Sequence, residues 1–142
     1  MSTIISQFFG VDHDRLDRIF QAFVNNMESD YSLAKQFFAR FHEGLERHIE
    51  WEEQLLFPRF EQATGMVNAG PTLVMVHEHQ MILGLLEKIS QKLDSEQNCQ
   101  DEINSLVGLL ESHNHKEEQI LYRQCDQMIP PAAVDEMLLN LH

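Results

Sequence analysis

Apolar residues recur at intervals of three and four along most of the chain, which is the spacing of an amphipathic α-helix. Polar or glycine-containing interruptions divide this pattern into four segments, with Gly10 before the first segment and Pro130-Pro131 after the last. No segment has the alternation of a β-strand. The pattern predicts helices at about residues 12–27, 31–63, 71–93 and 101–127.

A short amphipathic segment at about residues 132–141 follows and predicts a short C-terminal helix. Its apolar residues either cap the other helices or pair with another chain. Loops of about three to eight residues between amphipathic helices favour an all-α, up-down-up-down four-helix bundle. Residues 1–142 are expected to form a single domain.

Polar residues interrupt the apolar stripe of every predicted helix. Each of the four stripes contains one histidine: His13, His48, His79 and His113. On the second and fourth helices a glutamate follows four positions later: Glu52 and Glu117. Positions four apart share a helix face, so these imidazoles and carboxylates are expected to point into the bundle together.

The two inward glutamates predict a metal site. A buried carboxylate is costly unless it is protonated, paired or bound to a metal. No lysine or arginine lies on the four stripes near these positions, so a metal cluster explains them better than a salt bridge. At a rise of about 1.5 Å per residue from the connecting loops, the four histidines fall within about one turn of the same level.

The chain also contains an internal repeat. The sequence HIEWEEQLLFP, which starts at His48, returns as HNHKEEQILY from His113. His13 precedes His48 by 35 residues, and His79 precedes His113 by 34. Each half would therefore supply two histidines and one glutamate, and the two glutamates could bridge two metal ions. Imidazole and carboxylate donors suit iron, with manganese and zinc as alternatives.

Four segments resemble the signature segments of the hemerythrin-like, histidine-histidine-glutamate cation-binding domain family: DHDRLDRIF, HIEWEEQLLFP, HEHQMILGLL and HNHKEEQILY. The resemblance covers about residues 10–127, almost the whole chain. It implies two non-haem iron ions with an oxo or hydroxo bridge, in which the two glutamates also act as bridges. The ligands it implies are His13, His48, Glu52, His79, His113 and Glu117.

Two features differ from the oxygen-carrying hemerythrins. Those proteins have a second histidine one turn before the helix-3 ligand, where this chain has Met75, and a longer His-to-Asp spacing on helix 4. The two His-x-x-x-Glu pairs resemble those of the iron-centre repair proteins more closely, although the N-terminal cysteine-containing domain of those proteins has no counterpart in this sequence. His77 and His42 are candidates for a fifth histidine ligand.

Six ligands leave each metal ion with open coordination positions, which dioxygen, nitric oxide or peroxide chemistry requires. The leading hypothesis is a di-iron protein that binds or senses dioxygen or nitric oxide and is more a ligand-binding protein than an enzyme. The alternative is an iron donor or store that acts in repair of iron-sulfur centres. A ferritin-type oxidase is disfavoured because its Glu-x-x-His pattern is missing from the stripes.

The charge and composition of the chain limit the classes of molecule that it is expected to bind. Ten basic residues face 23 acidic ones, giving a net charge of -13, which disfavours nucleic acids and anionic membranes. The N-terminal sequence has neither a basic lead nor a long apolar run, so we expect a cytoplasmic protein, either a monomer or a homodimer. Cys99 and Cys125 are expected to be free thiols.

Other residues near the motifs have simpler interpretations. Tyr122 and Trp51 are expected to be packing or rim aromatics, and His115 a surface residue. Pro58 is expected to kink the second helix. Five glutamates are expected on solvated faces or, at most, as hydrogen-bond partners of ligand imidazoles: Glu46, Glu50, Glu53, Glu78 and Glu118.

Overall fold

The structure is a computed structural model that describes residues 3–141, and these residues contain helices and no strand. Two π-helical segments, Glu52–Leu56 and Glu117–Leu121, each join two helices without a break. The helices are α1 (Ile4–Asn26), α2 (Tyr31–Trp51), α3 (Phe57–Thr64), α4 (Pro71–Asp94), α5 (Gln100–Lys116), α6 (Tyr122–Met128) and α7 (Pro131–Leu138).

Four long helical rods pack side by side: α1, α2 continued by α3, α4, and α5 continued by α6. The first rod packs against α2 and α6, while α4 packs against α5 and α2. Short loops join each rod to the next, so consecutive rods run in opposite directions. The predicted all-α four-helix bundle with a short C-terminal helix is confirmed.

The N-terminal boundary of α1 differs from the prediction, because Gly10 lies inside the helix. A glycine within a helix costs about 0.5–1 kcal/mol, and two features offset this cost. Ile5 is buried in the core, and the Asp126 carboxylate accepts the backbone N–H of Ile5 at 2.9 Å and that of Ser6 at 3.2 Å. The first turn of α1 is thereby fixed to α6.

The hydrophobic core consists of two clusters with the polar layer between them. One cluster contains Leu16 and Phe41 and extends toward the loop between α1 and α2. The other contains Phe9, Leu56 and Met75 and lies at the opposite end. His13 therefore occupies the level between Phe9 and Leu16 on α1, where apolar packing surrounds it on both sides.

The C-terminal helix α7 caps the second cluster, as one of the two predicted alternatives states. Val134 and Met137 are buried there. The helix ends at Leu138, earlier than predicted, and Leu139 is 84% exposed. Cys125 is also buried in this cluster, and both Cys99 and Cys125 are free thiols, as expected.

Each π-helical segment begins at one of the two inward glutamates. The backbone N–H of Phe57 donates to the Glu52 carbonyl, and that of Tyr122 donates to the Glu117 carbonyl. Pro58 is not required for this wide turn, because Arg123 occupies the equivalent position in the second copy. Such i to i+5 turns within α-helices occur frequently at functional sites.

The wide turn also changes which side chains reach the core. On a regular helix Ile120, three positions after Glu117, would share its inward face, but Ile120 is 52% exposed. Leu121 is buried instead. The extra residue in the turn shifts the inward face by about one position relative to a regular helix. Over residues 3–141, no helix is long and apolar enough to span a bilayer.

Candidate metal centre

The six residues predicted from the stripes meet in one buried layer. Every one of them is at most 3% exposed. The first two rods contribute residues from near their midpoints. The internal repeat places the matching residues of the other two rods opposite them. The residues brought together are His13, His48, Glu52, His79, His113 and Glu117.

Each glutamate contacts one histidine from each half of the repeat. Glu117 Oε1 lies 3.1 Å from His13 Nε2 and 3.2 Å from His113 Nε2. Glu52 lies 3.1 Å from His79 Nε2 through Oε1 and 3.5 Å from His48 Nε2 through Oε2. The carboxylates thus lie between the two pairs of imidazoles, which is the placement that a bridging ligand needs.

A second carboxylate orients each of the four imidazoles. The Nδ1 atoms point away from the centre and approach acidic side chains at 2.6–2.9 Å. An Nδ1–H that donates to a carboxylate leaves Nε2 free to bind a metal and raises its basicity. The four pairs are His13–Glu118, His48–Asp12, His79–Glu53 and His113–Glu78.

We expected three of these four carboxylates to be, at most, hydrogen-bond partners of ligand imidazoles: Glu53, Glu78 and Glu118. The role of Asp12 was not predicted. The signal is positional: Asp12 directly precedes His13, just as Glu78 directly precedes His79 in the other half. By contrast, Glu46 and Glu50 are exposed, as expected for a solvated face. The two halves therefore repeat the supporting carboxylates as well as the inner six residues.

The electrostatics of the layer favour ionised carboxylates beside protonated imidazoles. Burial alone would lower the pKa of His13, but hydrogen bonds to Glu117 and Glu118 raise it to about 10. Burial likewise opposes the contacts of His79 with Glu117 and Glu52, which raise its pKa to about 11. Burial would raise the pKa of Glu117, yet hydrogen bonds with Glu52 and the imidazoles hold it well below its usual range.

Three buried atoms in the layer have no hydrogen-bond partner in the described part of the chain, and a bound cation would satisfy them. These atoms are Glu52 Oε1, Glu117 Oε2 and His79 Nε2. Buried polar atoms without partners are rare and costly. Two overlapping donor groups are present within 4.8 Å: Glu52, His79, His113 and Glu117 in one, and His13, His48 and Glu117 in the other.

Tyr122 belongs to this layer, although we expected a packing or rim aromatic. It is completely buried, and its hydroxyl donates to Glu52 Oε2 at 2.5 Å and lies 3.0 Å from Glu117 Oε1. The same oxygen lies 3.2 Å from His48 Nε2 and 3.3 Å from His13 Nε2. Burial and the two carboxylates raise the pKa of Tyr122 well above its usual range, so the phenol keeps its proton.

The two candidates for a fifth histidine ligand do not reach the layer. His77 is exposed on α4. His42 is half-buried and pairs with Glu46 at 2.6 Å, one turn further along α2. His115 is exposed, as expected. Within residues 3–141 the layer therefore contains four histidines.

The family described as Hemerythrin HHE cation binding domain matches residues 5–125. The chain therefore belongs to the hemerythrin HHE cation-binding family. Together with the buried histidine and glutamate cluster, this membership defines a metal-binding protein.

Three curated relatives are similar to parts of the chain. An uncharacterized hemerythrin-like protein of Schizosaccharomyces pombe is 29% identical over 82% of this chain and 57% of its own length. A DNA nickase of Nostoc is 25% identical over 83% of this chain and 32% of its own length. The iron-sulfur cluster repair protein YtfE of Enterobacter is 34% identical over 63% of this chain and 45% of its own length. No solved structure matches significantly.

Proposed function

We propose that the chain holds two iron ions in the buried layer and binds a small diatomic molecule there, dioxygen or nitric oxide. The ligands in this proposal are His13, His48, Glu52, His79, His113 and Glu117. The observation that carries it is the position of each glutamate between imidazoles from both halves of the repeat. Imidazole and carboxylate donors with open positions are the usual environment of non-haem iron.

The residues of the chain supply position and exclusion of water. The outer carboxylates on Nδ1 hold each imidazole so that Nε2 faces the centre, and the two apolar clusters enclose the layer. When bound, iron would supply a redox-active centre that accepts an external ligand.

The burial of the layer favours a very small ligand over an organic substrate. All six proposed ligands are at most 3% exposed. A groove of about 740 Å³ runs along the outer face of α2 beside His42 and Trp51, and none of the six residues lines it. A diatomic molecule fits this enclosed arrangement, whereas a larger substrate would require the bundle to open.

An anaerobic titration tests this proposal. Protein loaded with ferrous iron is exposed separately to dioxygen and to nitric oxide, and its visible spectrum is recorded before and after removal of the gas. We expect a reversible spectral change with at least one of the two. If protein that demonstrably contains iron shows no change with either gas, the binding of a diatomic ligand is refuted, whereas the proposed metal site is not.

A second candidate function is iron donation in the repair of iron-sulfur centres. The similarity to the repair protein of Enterobacter favours it. Transfer of iron from loaded protein to an apo iron-sulfur acceptor, faster than from free ferrous iron at the same concentration, would support this function. Retention of iron in the presence of both the acceptor and a mild chelator would exclude it.

A further inference from the structure

We propose that Tyr122 is a ligand of only one of the two metal ions, so that the other ion is the one that accepts the small molecule. This inference rests on the proposed two-iron function. It starts from the internal repeat, in which one position of the layer has a donor atom in one copy and none in the other.

The two copies differ at the residue that directly follows the π-helical segment. Aligning HIEWEEQLLF with HNHKEEQILY places Phe57 opposite Tyr122. The inner and outer acidic residues of the two copies match, so the phenol oxygen is the chemical difference between them in this layer. The second copy of the repeat therefore has an additional donor, and the first copy has a bare aromatic ring.

Although Tyr122 belongs to the second copy, its oxygen lies beside the two histidines of the first half, His13 and His48, where it occupies the place of a ligand. Its distances to their Nε2 atoms are 3.3 and 3.2 Å, and it lies 2.5 Å from Glu52 Oε2 and 3.0 Å from Glu117 Oε1. Adjacent donors of an octahedral metal with bonds of about 2.1 Å are about 3.0 Å apart. The four observed distances cluster around that separation.

The fold fixes the phenol at this position. Its ring is completely buried and packs against Phe9, with 5.4 Å between the centroids. The π-helical turn places the side chain on the same face as Glu117, five positions earlier, which a regular helix would not do. The ring therefore needs no rearrangement to present its oxygen to an ion.

Tyrosine is a suitable donor for iron and serves as the iron ligand of catalase haem. As the oxygen binds, the phenol releases its proton to solvent, as acidic ligands generally do on coordination. The resulting phenolate is an anionic oxygen donor, which favours the ferric state of the ion it binds.

Among the residues that the structure describes, no equivalent donor lies beside the histidines of the second half, His79 and His113, because Phe57 takes the corresponding place. The Phe57 ring stacks on the imidazole of His79, with centroids 5.9 Å apart and an angle of 7° between the planes. An ion held by His79 and His113 thus keeps one more open position than its neighbour. Two ions with unequal environments divide the roles: one is closed by the phenol, and one accepts the external ligand.

Resonance Raman spectroscopy of ferric-loaded protein, with visible excitation, tests this assignment. The chain has two tyrosines, and the Tyr31 hydroxyl donates to the Leu93 carbonyl at 2.7 Å within the other core cluster. Tyr31→Phe is therefore the matched control for Tyr122→Phe. Iron content and helical circular dichroism are measured for all three proteins.

We expect iron-bound tyrosinate ring modes and a visible charge-transfer band in the wild type and in Tyr31→Phe. Tyr122→Phe should lose both signals while retaining iron. If the iron-loaded wild type lacks these modes, or if they survive in Tyr122→Phe, this inference is overturned and the proposed di-iron function stands. A wild type that binds no iron overturns both. The wild-type spectrum alone can refute the assignment of Tyr122, so the test does not depend on whether Tyr122→Phe folds.

Discussion

The Glu118 carboxylate lies 2.7 Å from Nδ1 of His13, although the two residues belong to opposite halves of the repeat. The same exchange occurs in the other direction, where Glu53 lies 2.6 Å from Nδ1 of His79. Each half therefore orients a histidine of the other. Because neither half completes its own set of oriented imidazoles, the site and the packing of the bundle depend on each other.

Glu118→Gln tests the role of these outer carboxylates. The amide oxygen can still accept from Nδ1–H but carries no charge, so the His13 imidazole becomes a weaker donor. Loss of such a partner typically lowers metal affinity by about 10–100-fold. Competition with a chromophoric chelator measures the change. Glu50→Gln, on the exposed face of α2, is the control, and equal affinities in the two variants would contradict this role.

Glu117→Ala removes the carboxylate that belongs to both donor groups. We expect metal content to fall to one ion or none and the spectrum of a dinuclear centre to disappear. In metal-free protein the substitution leaves imidazolium groups without their counter-ion, which costs about 3–5 kcal/mol for a buried pair. Metal analysis and urea denaturation measure the two effects.

The control for Glu117→Ala is His115→Ala, since His115 is exposed and should affect neither metal content nor unfolding. Full retention of two metal ions by Glu117→Ala would show that this carboxylate is not a bridge.

The metal-free protein should lose stability as the pH rises above about 6.5. The folded pKa of His13 is raised to about 10 and that of His79 to about 11. Each therefore binds a proton more tightly in the folded chain, and its contribution is complete below the unfolded pKa and is lost as the pH rises through the folded pKa. Urea denaturation across this interval should show a falling free energy of unfolding.

His79→Gln serves as the comparison for the pH experiment, because it removes one of the two titrating groups. Its free energy of unfolding should fall less steeply with pH than that of the wild type. Identical slopes in the two proteins would mean that the buried imidazoles do not carry the pH dependence.

Metal binding near neutral pH should release protons. His13 and His79 are protonated there in the metal-free chain, and an imidazole binds a metal only after Nε2 loses its proton. Loading should release at least about two protons per chain, followed with a pH indicator in weakly buffered solution. Metal affinity should consequently fall as the pH is lowered. Loading without proton release would contradict the protonation inferred for these histidines.

The stripe pattern predicts the six inner residues because their positions follow ordinary helical geometry. His48 lies in the last turn of α2, and Glu52, four positions later, is the first residue of the π-helical segment. The turn between them still has the 3.6-residue period, which places both side chains on one face. The internal repeat then predicts the matching pair, His113 and Glu117. These residues meet at one level because the four rods are of similar length and are joined by short loops. The polar or glycine-containing interruptions along the sequence indicate both features.

Tyr122 could not be found in this way. On a regular helix it would lie about 140° around the axis from Glu117, since each residue turns about 100°. The π-helical segment between them brings the two side chains together. The same displaced register exposes Ile120. Nothing in the apolar period reveals a single wider turn, although the Phe57 and Tyr122 difference between the repeats marks the position.

Asp12 was missed for another reason. An acidic residue beside an inward histidine looks like any residue on a solvated face, and the chain has 23 acidic residues. Its Oδ2 atom reaches Nδ1 of His48, 36 positions away, at 2.8 Å. A contact between neighbouring rods depends on their rotation about their axes, which the stripe of one helix does not specify.

The most direct test of the central claim is metal content per chain, measured with a visible spectrum on protein purified aerobically without chelator or a metal-binding tag. We predict about two iron ions per chain and the absorption of an oxo-bridged pair. At most one metal ion per chain after reconstitution with iron would contradict a dinuclear centre formed by Glu52, Glu117 and the four histidines.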